Sequence, residues 1–232
     1  MKCLYPIADN PVYQFVMPVI RSNMYVLIAN NRALVIDPHI DSQAEKLLHE
    51  NGVQGCVILL THEHFDHISG VNWLREQFNC QVICTAVCSR LIDNSKRSGA
   101  ATFGALFLLG HTAQEREEIE PWLVPDYVCQ ADETFERETI FVWQGIRLVL
   151  KEMGGHSPGS QIILAESHSI FTGDNLIPGR QAITRLPGGC RMIYERDVRP
   201  YLQSLPKDLI VFPGHGEPDR ITGQKMQQGI WR

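Results

Sequence analysis

Thr61-His62-Glu63-His64-Phe65-Asp66-His67 follows directly on the apolar run Cys56-Val57-Ile58-Leu59-Leu60, and this junction decides how the chain reads. A short aliphatic run that stops at Thr and His reads as a buried strand whose C-terminal end delivers polar groups into a cleft. His62, His64, Asp66 and His67 are then four metal-competent side chains within six residues. Imidazole and carboxylate are the ligand set of zinc-type ions, and an irregular loop can splay His62 and His64 to one ion and Asp66 and His67 to a second. A lone histidine after a strand is ordinarily a core or surface residue. Three imidazoles and a carboxylate packed together without a cation would leave several polar groups unpaired. The stretch therefore predicts a metal site.

The rest of the chain supplies strands and helices around it. Residues 12–20, 24–29 and 32–36 read as an antiparallel meander with Asn30-Asn31 as a turn. Asp41-Ser42 offers an N-cap for a helix over 43–50, and Gly52 ends it. The strand at 57–60 carries the metal loop; 69–78 reads as a helix with Val71, Leu74 and Phe78 on one face, and 82–85 as a strand. Gln144-Gly145 joins strands 139–143 and 146–150 in a hairpin. Strands at 161–165, 169–172 and 209–212 follow, with a helix over 195–205 in which Pro200 marks a kink or a first turn. Two strand-then-helix halves predict an α/β fold, an αβ/βα four-layer sandwich of two mixed sheets packed face to face with helices outside.

With these motifs in place, the H-x-H-x-D-H stretch resembles the signature of metallo-β-lactamase-fold hydrolases. Gly154-Gly155-His156-Ser157-Pro158-Gly159-Ser160 is similar to that family's G-H-[ST]-P-G-S loop, Phe171-Thr172-Gly173-Asp174 to its strand-end Gly-Asp, and Phe212-Pro213-Gly214-His215-Gly216 to its P-G-H-G loop. The resemblance spans residues 61–218. It implies His62, His64 and His156 on a first ion, Asp66, His67 and His215 on a second, and Asp174 bridging both. Leu186-Pro187-Gly188-Gly189 resembles the L-P-G-G of glyoxalase II-like hydrolases, so Gly188-Gly189-Cys190 is not taken as a β-lactamase thiolate site. Glyoxalase II itself carries a C-terminal glutathione-binding region, whereas 17 residues follow His215 here, so the resemblance is to that branch without it.

Two ions about 3.5 to 4 Å apart, bridged by a carboxylate, can ionise a water near neutral pH and neutralise the oxyanion its attack creates. Asp174 as the shared ligand and Asp66 as an orienter of the attacking hydroxide are the catalytic candidates. Zinc is the default metal from the ligand type, with iron and manganese also accommodated. The expected reaction is hydrolysis of a thioester or related ester of a small metabolite, as in hydroxyacylglutathione hydrolases. A phosphodiesterase of the same fold, with Arg180 or Arg185 on the phosphate, and a non-catalytic ligand-binding signalling relative are the alternatives.

Composition bounds the rest. The 232 residues suit a single domain, and a net charge of -5 offers no footprint for nucleic acid or an anionic membrane. No run has the length of a signal-peptide core or a membrane span. The seven cysteines are odd in number and scattered, which reads as reduced thiols in a cytoplasmic protein. Residues 89–130 form an expected helical insertion whose stretch 102–109 is apolar on nearly every side. It is read either as a lid that brings Phe103, Leu106 or Phe107 to an acyl pocket, or as the contact of a homodimer or a flank of the core. His39 is expected to be a solvent-facing loop residue, and His49 and His168 to have no role.

Overall fold

A computed structural model describes residues 1–108 and 112–221, with the side chains at 106–108, 115 and 118 outside that description. The expected roles of Leu106 and Phe107 therefore lie outside the described residues. The first sheet has seven strands in spatial order: β1 (Lys2–Cys3), β2 (Tyr13–Val16), β3 (Asn23–Ala29), β4 (Arg32–Ile36), β5 (Gly55–Leu59), β6 (Asn79–Thr85) and β7 (Glu133–Phe135). It is antiparallel from β1 to β4 and parallel from β4 to β7. The second sheet runs β13-β12-β11-β10-β9-β8 from β8 (Glu138–Trp143), β9 (Ile146–Glu152), β10 (Gln161–Ala165), β11 (Ser169–Gly173), β12 (Ile210–Pro213) and β13 (Asp219–Arg220). Its one parallel pair is β11 with β12.

The helices fall where parallel strands need crossovers. They are α1 (Ser42–Glu50), α2 (Phe65–Ile68), α3 (Val71–Gln77), α4 (Ala86–Ile92), α5 (Ala100–Leu108), α6 (Ala113–Ile119), α7 (Arg191–Ile193) and α8 (Arg199–Ser204). Asp41 caps α1 by accepting from the backbone N–H groups of Gln43 and Ala44 at 2.8 and 2.9 Å. Among the described residues no helix is long and apolar enough to cross a membrane.

Alternation along the strands builds the layers. On β4, Leu34 and Ile36 face the second sheet and pack with Leu59, Leu148, Ile163, Phe171 and Phe212 between the sheets. Ala33 and Val35 face the other way and pack with Ala44, Leu48, Phe65, Val71 and Leu74 of the helices. On the far side, Ile162, Ile170 and Val211 pack against Tyr194, Val198 and Leu202. Helix, sheet, sheet, helix is the expected four-layer sandwich.

The two-residue edge strands β1 and β13 are not part of the sequence reading, and two further elements differ from it. Glu133–Phe135 adds β7 to the first sheet before the chain crosses to the second. Three residues without an apolar run carry no periodicity from which to read it. The helical stretch around Pro200 starts earlier, at Arg191, and passes through a π turn over Tyr194–Val198. Pro200 has no N–H to donate, and it sits in the first turn of α8 after that widened turn.

Candidate metal centre

All seven expected ligand residues lie where strands end. The parallel pairing Ile36↔Leu59 brings the ends of β4 and β5 together, and Phe171↔Phe212 does the same for β11 and β12. Beyond β5 the chain turns into α2, which carries Asp66 and His67, both buried. Asp174 follows β11 and His215 follows β12, while the loop between β9 and β10 carries His156. Gln161 fastens this loop to the first sheet, donating from its backbone N–H to Thr61 O and from its side chain to Leu60 O, both at 2.7 Å.

His62, His64 and His156 form one cluster. His64 Nδ1 lies 3.1 Å from His62 Nε2 and 3.1 Å from His156 Nε2. Ligand nitrogens of a tetrahedral zinc ion stand about 3.3 Å apart, given Zn–N distances near 2.05 Å. Three facing imidazole nitrogens at this spacing can share one cation, and they cannot all hydrogen-bond one another in the neutral state. Burial lowers the pKa of all three histidines, His64 to about 4, so they are neutral at pH 7, as metal ligation requires.

Asp66, His67 and His215 form the second cluster. Asp66 Oδ2 lies 3.3 Å from His67 Nε2 and 3.4 Å from His215 Nε2. Asp174 stands between the clusters, its Oδ2 3.6 Å from His156 Nε2 and 3.4 Å from His215 Nε2, and its Oδ1 3.7 Å from His67 Nε2. Burial works against charge on both carboxyls, yet the imidazoles around them hold both well below the usual carboxylate range. Burial likewise opposes protonation of His67 and His215, and the carboxylates overcome it, carrying His215 up to about 10. The cluster calls for positive charge between its carboxylates. Among the described residues His67 Nε2 and Asp174 Oδ1 are buried without a hydrogen-bond partner, which fits a divalent cation there. Only glycine fits at Gly214, where a Cβ would collide with Asp174 Oδ1 and lie 2.9 Å from His67 Cε1.

The groups behind the ligands escaped the sequence reading. Asp37, buried at the end of β4, accepts from Thr61 N at 2.7 Å, from Thr61 Oγ1 at 2.5 Å and from His67 Nδ1 at 2.9 Å. Burial raises its pKa, and these donors oppose the rise. With its oxygens so engaged, Asp37 orients His67 and is no ligand itself, although it neighbours His62 and His67 closely enough to be one. Thr61 Oγ1, having given its proton to Asp37, accepts from His62 Nδ1 at 3.0 Å. His156 Nδ1 donates to Ile183 O at 2.7 Å. All three contacts leave Nε2 free for a metal. Glu63 accepts from Ser157 Oγ at 2.9 Å and Gly159 N at 3.2 Å, joining the first histidine loop to the His156 loop. Asn23 and Tyr25 both donate to Pro213 O, at 2.9 and 2.7 Å, which places the His215 turn. A carboxylate directly after the apolar β4 run was the one signal available for Asp37.

The remaining candidates are spread out. His39 is fully buried, not solvent-facing, because its backbone lies where a Cβ on Gly70 would come within 2.7 Å. Its ring nitrogens have no hydrogen-bond partner among the described residues, and burial lowers its pKa to about 4. Phe103 is buried in the helix-side core, edge-on to Phe65 at 4.9 Å between ring centroids. Arg180 and Arg185 are exposed in the loop after Asp174. His49 and His168 are exposed, and Cys190 belongs to neither metal-competent cluster among the described residues.

Known proteins resemble this chain in sequence and in fold. The family model of the metallo-beta-lactamase superfamily matches residues 17–215. A probable metallo-hydrolase, YqgX of Bacillus subtilis, is 30% identical over 90% of this chain and 92% of its own. Hydroxyacylglutathione hydrolase GloC of Haemophilus influenzae is 26% identical, covering 83% of this chain and 84% of its own. The crystal structure of the BLEG-1 B3 metallo-beta-lactamase superposes with a TM-score of 0.76 at 26% identity, over 93% of this chain and 96% of that one. TTHA1623 in a di-iron-bound form shares the fold with a TM-score of 0.69 at 24% identity, over 90% and 94% of the two chains. On sequence and on fold, with histidine and aspartate clusters able to hold metal ions, the chain belongs to the metallo-beta-lactamase superfamily of metal-dependent hydrolases.

Proposed function

We propose that this protein is a binuclear hydrolase that cleaves a thioester or related ester of a small metabolite. The observation that carries the reading is Asp174, whose one carboxylate stands within 3.6 Å of His156 Nε2 and 3.4 Å of His215 Nε2. Two bound divalent cations would supply Lewis acidity there, lowering the pKa of a water and offsetting charge on the substrate oxygen. His62, His64 and His156 would hold the first, Asp66, His67 and His215 the second, and Asp174 both. Zinc suits this nitrogen-rich set best, and iron and manganese are also accommodated. Asp66 would also orient the attacking water by a hydrogen bond. Every other titratable side chain in the two clusters is committed to ligation, which suits a thiolate leaving group that departs without a strong general acid. The relationship to GloC supports the thioester reading, and seven free cysteines fit a reducing cytoplasm.

The test is a panel of thioesters, phosphodiesters, lactones and a chromogenic cephalosporin, assayed on protein of measured metal content. Thioester turnover should be highest and should rise with metal up to two ions per chain. Faster turnover of a phosphodiester or the cephalosporin would reassign the substrate. No turnover of any class by fully loaded protein would remove the enzymatic reading.

A further inference from the structure

Behind His156, away from its Nε2, lies a cleft of about 320 Å³ between the loop over residues 181–185 and the helical stretch that carries Tyr194 and Arg199. None of the seven ligand residues lines it. Among the described residues its charged lining is unbalanced, with Arg185, Arg191 and Arg199 against Glu195. Glu195 is shared, 3.0 Å from Arg199 Nε and 3.9 Å from Arg191 Nε. Guanidinium stays charged at any physiological pH, so Arg185 and Arg191 both present positive charge to one space whose described lining holds a single carboxylate.

We propose that this cleft binds the carboxylate or phosphate of a small organic anion. Guanidinium groups offer paired N–H donors matched to two oxygens of such a group. The volume is at the lower end for small-molecule sites and leaves room for more than the charged group itself. The cleft is also tied to the metal centre. Ile183, in its wall, accepts the His156 Nδ1 proton at 2.7 Å, and Tyr194 donates to Asn175 O at 2.8 Å, one residue past Asp174. Tyr194 further packs under Gly155, where a Cβ would approach to 3.1 Å. Arg180, by contrast, is not in the lining. The anion has two sources: an acidic arm of the substrate itself, which rests on the hydrolase reading, or a separate effector, which does not.

Calorimetric titration of the metal-loaded protein with succinate should show binding. Arg191→Gln, and more strongly Arg185→Gln with Arg191→Gln, should weaken it on the order of tenfold, the scale of a lost charge-assisted hydrogen bond. Kinetics separate the sources. If the anion is the substrate's, the double variant raises KM for a thioester with an acidic arm relative to KM for a neutral thioester of the same acyl group. If it is an effector, succinate changes turnover of the neutral thioester in the wild-type protein, and the double variant loses that response. Equal succinate affinity in wild type and double variant, with an unchanged KM ratio, overturns the proposal. A protein that turns over no thioester still answers through the calorimetry, so the two readings fail separately.

Discussion

Asp37 Oδ2 and His67 Nδ1, 30 residues apart in the chain, meet at 2.9 Å behind the second metal-competent cluster. The contact forces the His67 proton onto Nδ1 and leaves Nε2 to face Asp66 and Asp174. Asp37→Asn retains the shape but loses the charge that favours this orientation. Replacement of such an outer partner weakens metal binding about 10- to 100-fold. Competition with a chromogenic chelator should show the second equivalent of zinc weakened by at least the lower figure and the first nearly unaffected. Equal loss at both sites would mean that Asp37 acts on the fold and not on His67.

Asp174 reaches both clusters, so Asp174→Ala should lower both occupancies. Elemental analysis should give close to two ions per chain for the wild-type protein and fewer than one for the variant, in keeping with the shared carboxylate of two-metal sites. A variant that keeps one tightly held ion and full activity would refute the bridging role.

Phe103 is buried against Phe65, on the face of α2 that packs into the helix-side core. Phe103→Ala should cost about 3 to 5 kcal/mol, the range for removing a large core aromatic, measured by urea unfolding. Selectivity across an acyl-chain series should stay the same. A change in selectivity with little loss of stability would move Phe103 from the core to a substrate pocket.

His39 gives a pH dependence of known sign. Its pKa is about 4 in the native state, lowered by burial, against an ordinary value of 6.5. Above pH 6.5 neither state binds the extra proton. As pH falls from 6.5 to 4 the unfolded chain takes up a proton that the native state refuses, so stability is lost across that window and levels off below it. The contribution is about 3 kcal/mol for a shift of this size. Chelator-treated wild-type and His39→Gln proteins, unfolded in urea at pH 7 and pH 4, should differ in their pH-dependent loss by about that amount. The ligand histidines add the same slope to both proteins and cancel in the difference. Identical losses would show that His39 protonates in the native state.

The chain's own order of residues determined the metal-competent side chains and most of the scaffold. Apolar alternation marked the strands, and the short spacing from His62 to His67 could not be buried without a cation. What surrounds those side chains was decided only in three dimensions. Asp37 meets His67 because β4 and β5 run parallel in the register Ile36↔Leu59, which sets the residues after both strands side by side. Glu63, a residue between two histidines, becomes the tie to Ser157, 94 positions away. His39 is buried because the backbone at Gly70 closes on it, and Arg185 lines one cleft with Arg191 and Arg199 because a loop lies beside a helical stretch. Periodicity records which side of its own element a residue faces. It carries nothing about which distant strand end or helix arrives on that side, and hydrogen bonds and charge clusters depend on that arrival.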